Sequence, residues 1–313
     1  MLALARYTLK GPRHASAVVA VLAVVALFLP LAGGGLPIIL LLSSVLTLYN
    51  GALVGLIILT QGLVTGSRVI ATALVGVVII SGLMLHSVSL GFSVGLSVGL
   101  AQWLPIVGLS AVLRISRSLG MMLLAAMLLA AVGIVAQSVI WPDLQQHWQD
   151  ILNETMQVFT QGQNIAVEDI DKQVAQLAQW MVLGLVPSLF LLCTGILLAS
   201  RSMQARLDDS DAYQKEFRQI SLGKSAAIAG LVALGLGYGL QSVWAGSIAL
   251  LVICGFMYQG IAVVHVKFSA HARARTLLTV FYILLVIFPQ VAGLTALVGM
   301  IDNWLVFRKN ATA

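Results

Sequence analysis

Two overlapping pentapeptides, Gly91-Phe92-Ser93-Val94-Gly95 and Gly95-Leu96-Ser97-Val98-Gly99, match the GxSxG pattern of a serine-hydrolase elbow. That chemistry needs the serine on a sharp strand-to-helix turn, with a histidine base and an acid supplied by the fold. Here the matches run in tandem inside one apolar stretch, with no acid near in sequence. Gly91, Gly95 and Gly99 therefore read as small-xxx-small spacing, which lets membrane helices approach closely. Gly51/Gly55, Gly62/Gly66 and Gly235/Gly239 repeat the theme. Cys193 and Cys254 both fall in apolar runs and read as small core residues rather than a disulfide or a metal pair. There is no Walker A lysine loop, no HExxH and no Cys/His spacing for zinc. The expectation is no enzyme, no cofactor and no metal.

Polar residues inside apolar runs are the remaining source of chemistry, because they are costly in hydrocarbon and face a partner or a cavity. Gln61, Gln102, Gln137, Gln241, Gln259 and Gln290 lie in or at the ends of such runs, with His86 and His265. Gln102, Trp103 and Gln137 are the candidates for lining a solute cavity. Asp302 is the sole carboxylate within a predicted crossing, six residues before Arg308 and beside Trp304, an interfacial-belt residue. Helix-end pairing or capping is the first reading of Asp302, and a functional contact the second. No array of acids for a proton relay is visible.

A lipid bilayer must position these residues. Of the 313 residues 60% are hydrophobic and 9% charged, against roughly 25% charged in soluble domains. A helix needs ~20 apolar residues to cross the bilayer. Runs of that kind fall near 15–32, 36–66, 69–88, 91–113, 119–140, 179–200, 225–243, 245–265, 270–288 and 290–307. Every Lys and Arg except Lys172 lies in short patches between or beside them. About ten crossings with both termini inside would put all those patches in the cytoplasm, as positive loops resist translocation. The net charge of +6 is thus positive-inside bias, not nucleic-acid affinity. No cleavable signal is expected: the first run ends at Pro30-Leu31 and meets Gly33-Gly34-Gly35 rather than a small-x-small site. Two places strain the count. The run 36–66 is long and holds the turn-prone pair Asn50-Gly51, so it reads as one broken helix or two short ones. The stretch 270–307 needs a reversal, for which Pro289-Gln290 is the candidate.

The interval 141–178 carries six acidic residues against Lys172 alone. Leu144, Trp148, Ile151, Leu152, Met156 and Phe159 recur at helical spacing, after Pro142 at a first-turn position. Beyond a break at Gly162 to Asn164, Val167, Ile170, Val174 and Leu177 form a second stripe running into the next crossing. A periplasmic amphipathic helical hairpin is expected. Leu144, Trp148 and Ile151 are its candidate partner-facing anchors, and a structural cap is the plainer reading.

The stretch Pro30-Leu31-Ala32-Gly33-Gly34-Gly35-Leu36-Pro37-Ile38-Ile39-Leu40, then Tyr49-Asn50-Gly51-Ala52-Leu53-Val54-Gly55-Leu56, resembles the start of the S components of energy-coupling-factor vitamin transporters. Ala101-Gln102-Trp103-Leu104-Pro105, leading to Arg114-Ile115-Ser116-Arg117, resembles their fourth helix and its basic cytoplasmic end. More of the chain is similar to the YybS-like family, bacterial membrane proteins of unknown function often grouped with S components. The carrying motif is Gly-x-x-Asp-x-Trp-x-x-Phe-Arg-Lys, here Gly299, Asp302, Trp304, Phe307, Arg308 and Lys309, with Phe217-Arg218-Gln219-Ile220 upstream. One departure is that the AxxxA through which S components dock their energising partner is matched only by Ser16 and Ala20.

The expected protein is an all-α polytopic helix bundle of the bacterial inner membrane. Its expected parts are an S-component-like bundle over 1–140, the insert 141–178, and C-terminal membrane helices over 179–313 with a basic cytoplasmic loop at 201–224. The resemblance implies binding, and helping to transport, a small solute. The alternative is a non-transporting scaffold or regulator that assembles with another membrane protein, or with itself, through Gly-rich faces or the hairpin.

Overall fold

Prolines and glycines punctuate a chain that is otherwise helix. The computed structural model describes residues 2–32, 36–160, 167–240, 242–305 and 307–308, with the backbone alone over 155–160 and 167–171. In order the helices are α1 (Leu2–Thr8), α2 (Pro12–Ala32), α3 (Pro37–Gln61), α4 (Leu63–Met84), α5 (Val88–Ser97), a π-helical segment (Val98–Trp103), α6 (Leu104–Ser116) and α7 (Leu119–Ile140). There follow α8 (Leu144–Thr160), α9 (Val167–Leu207), α10 (Ala212–Arg218), α11 (Lys224–Leu240), α12 (Val243–Ser269), α13 (Ala274–Ile287) and α14 (Pro289–Leu305). No strand occurs among the described residues.

Seven helical stretches are long and apolar enough to cross a membrane: 12–32, 37–61, 63–84, 88–116, 119–140, 172–207 and 243–269. The expectation of ten counted 225–243, 270–288 and 290–307 as further crossings. These form α11, of 17 residues, and α13 and α14, of 14 and 17 residues, bent 117° from one another. At ~1.5 Å rise per residue the last two reach roughly 21 and 26 Å, short of the ~30 Å hydrocarbon core.

Contacts divide the chain into two units, Met1–Met122 with Leu192–Phe217, and Leu123–Leu191 with Arg218–Ala313. The cuts fall inside α7 and α9 rather than at 140 and 178, because α9 runs unbroken through 178. In the first unit α2 packs on α3 and α4, α4 on α5, and α3 on α6. Its core is α3, where every residue from Asn50 to Leu59 is buried. A helix apolar all round belongs inside a bundle, and here two small residues set the approach. A Cβ on Gly51 would meet Ile106 and Ile196, and one on Gly55 would meet the Ser200 hydroxyl.

Asn50-Gly51, the expected interruption, is therefore mid-helix. The Asn50 amide donates to the Val19 carbonyl of α2 at 2.8 Å, so a turn-forming residue ties two helices together instead. The chain reverses at Gly62, with φ 90° and ψ 168°, a combination open in practice to glycine alone. Gly91, Gly95 and Gly99 line the contact of α5 and the π segment with α4, where added Cβ atoms would strike Gly82, Val78 and Leu74.

In the second unit α12 is central. Of its hydrophobic window 61% is buried, against 28–44% for the other membrane-capable helices. It packs on α11, α13 and α14. Tyr282 of α13 hydrogen-bonds His265 at 2.8 Å, while Thr295 of α14 crowds Gly260. Both α13 and α14 thus lie against α12, bent 117° from one another at the break before Pro289. Gly235 and Gly239, expected on a packing face, meet nothing within 4 Å; the close contacts of α11 fall on Gly230 and Gly237. Seven residues is close to two helical turns, so 230 and 237 share a face that 235 and 239 do not.

Candidate functional site

Pro105 explains the geometry around the two candidates it follows. It lies in the first turn of α6, lacks an N–H, and its ring crowds the preceding turn. The helix widens by one residue over 98–103, and the Leu104 N–H donates to the Gly99 carbonyl. Single π turns of this kind recur at functional positions. Trp103 sits at the end of this widened turn, 1% exposed, and its indole Nε1 has no hydrogen-bond partner. The Gln102 side-chain amide donates to the Thr47 carbonyl of α3 at 3.0 Å. The same unit buries further unpartnered oxygens on Asn50, Ser81 and Ser110. A buried donor without an acceptor costs ~1–3 kcal/mol, and Trp103 carries such a donor, while Gln61 adds a fourth unpartnered oxygen to the unit. Gln137, the third cavity candidate, is half-buried on α7 in the second unit, whereas Gln102 and Trp103 belong to the first.

The serine pairs carry other duties. Ser93 Oγ donates to the Ser89 carbonyl at 3.0 Å and Ser97 Oγ to the Ser93 carbonyl at 2.9 Å, both exposed on an α-helix. Neither stands on a strand-to-helix turn.

At the end of α14 the motif residues assemble with partners from two other segments. Asp302 is 3% exposed. One of its oxygens accepts from the Gln259 amide at 3.0 Å and from Arg308 at 2.5 Å, and the other from the Phe307 N–H at 3.1 Å. Arg308 also donates to the carbonyls of Arg218 and Ile220, at 2.7 and 2.8 Å. Gln259 accepts from Leu222 N–H at 3.0 Å, and Asn303 from Gly223 N–H at 3.1 Å. Every polar atom of the Asp302 carboxylate is thus answered within the chain, and the cluster latches 218–223 to α12 and α14. Gly299 makes this possible, since a Cβ there would strike the backbone of Phe256 and Gly260. Trp304 is 42% exposed, and Lys309 lies outside the described residues. Asn303 and the Gln259 pairing went unread in the sequence. The adjacency of Asp302 and Asn303 in an apolar helix was the available signal.

On α8, Leu144 is 5% exposed, Trp148 is half-buried and Ile151 is 39% exposed. Leu144 and Trp148 face their own chain, which leaves Ile151 as the outward member of the expected interface. Met156 and Phe159 and the break at Gly162 to Asn164 lie outside the described side chains or residues. The chain matches no family model, no curated protein and no solved structure.

Proposed function

We propose that this is an S-component-like, multi-pass protein of the bacterial inner membrane that binds a small solute within its first unit. The carrying observation is the Trp103 indole N–H, buried and unanswered in a π turn beside Gln102. A solute acceptor placed there would answer the Trp103 donor. In a thermal-unfolding screen of purified protein against vitamins and cofactors, a ligand at ~100-fold its Kd adds about 2.7 kcal/mol. Trp103→Phe keeps an aromatic ring and removes the donor. It should abolish the ligand-dependent shift, while the smaller ring lowers the unliganded stability by about 1–3 kcal/mol without unfolding the protein. A shift that survives Trp103→Phe would refute this site.

We infer the orientation from the charges: both termini and the loop 201–224 cytoplasmic, with α8 and the start of α9 as the periplasmic hairpin. The return of Arg308 to the 218–223 loop supports placing both termini on the side of that loop, with α11 counted as an eighth crossing and the α13–α14 pair as re-entrant, which makes the parity even. Reporters fused after Asn310 and within 203–215 should both read cytoplasmic, and one at Gly162 should read outside. An alkaline-phosphatase fusion active after Asn310 would overturn this arrangement.

One observation favours the scaffold or homo-oligomer reading. Gly235 and Gly239 present a small-residue pair on α11 where an added Cβ would meet none of the described residues within 4 Å, at the spacing through which membrane helices pair. No thermal shift with any ligand, together with loss of a co-purifying protein in Gly235→Leu, would select that reading over solute binding.

A further inference from the structure

We propose that the first unit carries a binding site for a phosphate group, separate from Trp103, where α3, α6 and α9 approach the same membrane face. A cavity of about 430 Å³ there is lined by Arg114, Arg117 and Arg201, with Gln204, Glu216 and two leucines. The arginines are unequally engaged. Arg201 forks onto Glu216 at 2.8 and 2.5 Å, and its remaining nitrogen donates to Gln204 at 2.8 Å. Its charge is answered. Arg114 donates to the carbonyls of Ile58 and Leu59 in the last turn of α3, the first of which also accepts the Gly62 N–H, and lies across the Gly62 turn. The Arg117 backbone N–H donates to the Leu113 carbonyl, but its side chain makes no hydrogen bond or ion pair with the described residues.

The plain alternative is that these cations serve helix C-termini. Each such end carries about half a negative charge. Among the residues that line the cavity, the ends of α3 and α6 and the Glu216 carboxylate leave about one positive charge over, with Asp208 acting on Arg201 from outside the lining. Backbone conformation points the same way. Arg117 caps α6 with φ 49° and ψ 30°, the left-handed position that glycine normally takes. An arginine held there carries a backbone penalty, and its side chain, with no hydrogen-bond partner among the described residues, is part of the cavity lining. Guanidinium forks match phosphate oxygens in geometry and stay charged at any physiological pH. At a helix-end level the phosphate is either a lipid headgroup or a soluble phosphate, and the chemistry is the same for both.

The test uses the full chain in neutral detergent, followed by native mass spectrometry and thermal unfolding at fixed ionic strength. The probes are phosphatidylglycerol, phosphatidylcholine (whose choline cancels the charge), inorganic phosphate and glycerol phosphate. The expected result is binding of phosphatidylglycerol or of a soluble phosphate, weakened about tenfold or more in Arg117→Gln. Arg117→Gly relieves the backbone and should lose binding while unfolding no sooner than the parent, which separates the site from the fold. Retention of phosphatidylglycerol alone assigns the site to lipid; a response to the soluble phosphates assigns it to a solute. Equal binding by parent, Arg117→Gln and Arg117→Gly, or binding of no probe by the parent, overturns the proposal. Loss of the Trp103-dependent shift has no bearing on this result, since the two sites share no residue.

Discussion

Asp302→Ala is expected to destabilise the protein by about 3–5 kcal/mol, the usual consequence of leaving a buried charge without its partner. The carboxylate is 3% exposed and accepts three hydrogen bonds, from Gln259, Arg308 and Phe307 N–H. Its removal strands the Arg308 guanidinium, 16% exposed, and one donor of Gln259 at once. Thermal unfolding of purified protein in detergent reads the effect. Arg308→Ala made in addition should cost less than the sum of the two single changes, because the second substitution removes a charge that the first left unpaired. Asp302→Asn keeps one acceptor oxygen, for Phe307 N–H or for Gln259 but not both, and should fall between parent and alanine. Full stability in Asp302→Ala would mean that the latch on 218–223 contributes nothing to the second unit.

The second large effect is expected at Gly91. A Cβ there meets the Cα and N of Gly82 and the Val78 carbonyl, all backbone, so no rotamer change can make room. Gly91→Leu must push α5 away from α4, and overpacking of this kind costs about 3 kcal/mol where nothing can yield. Gly95 opposes the Val78 side chain rather than backbone, so Gly95→Ala should be milder than Gly91→Ala. Ser93→Ala should change stability by no more than about 0.5 kcal/mol, since an exposed hydroxyl bonding one turn back supports little. The folded yields of the four variants, compared by size-exclusion profile, rank the contacts. A Gly91→Leu protein as monodisperse as Ser93→Ala would refute close packing at this crossing.

How much of this was legible in the sequence depends on range. Helix ends written by single residues were readable: Pro289 marks the α13–α14 bend, and the tandem glycines of α5 lie against α4. Asn50-Gly51 misled because its local turn signal competes with a tertiary bond to Val19, invisible in one dimension. Gly62 carried the real reversal, yet a lone glycine in an apolar run looks the same whether it packs or turns. The pairing of Asp302 with Arg308 was near enough in sequence to foresee. Its link to Gln259, 43 residues away, was not. Gly235 and Gly239 failed as intrachain packing positions for a related reason: spacing fixes which residues share a face, while the neighbours decide which face is covered. Gln102 and Gln137 were alike as polar residues in apolar runs, and the fold put them in different units.

The reversal at Gly62 has a consequence in inherited variation. Two membrane-capable helices of 25 and 22 residues are joined by one residue whose backbone angles exclude every side chain. No loop surrounds it in which a change could be absorbed, so only synonymous codons are neutral there. His86, Arg117 and Asp209 also have positive φ, between 47 and 49°, but in the left-handed region that asparagine and glycine enter freely. Lineages can drift at the backbone of those three positions, within whatever their side chains allow. At 62 they are held to a single letter.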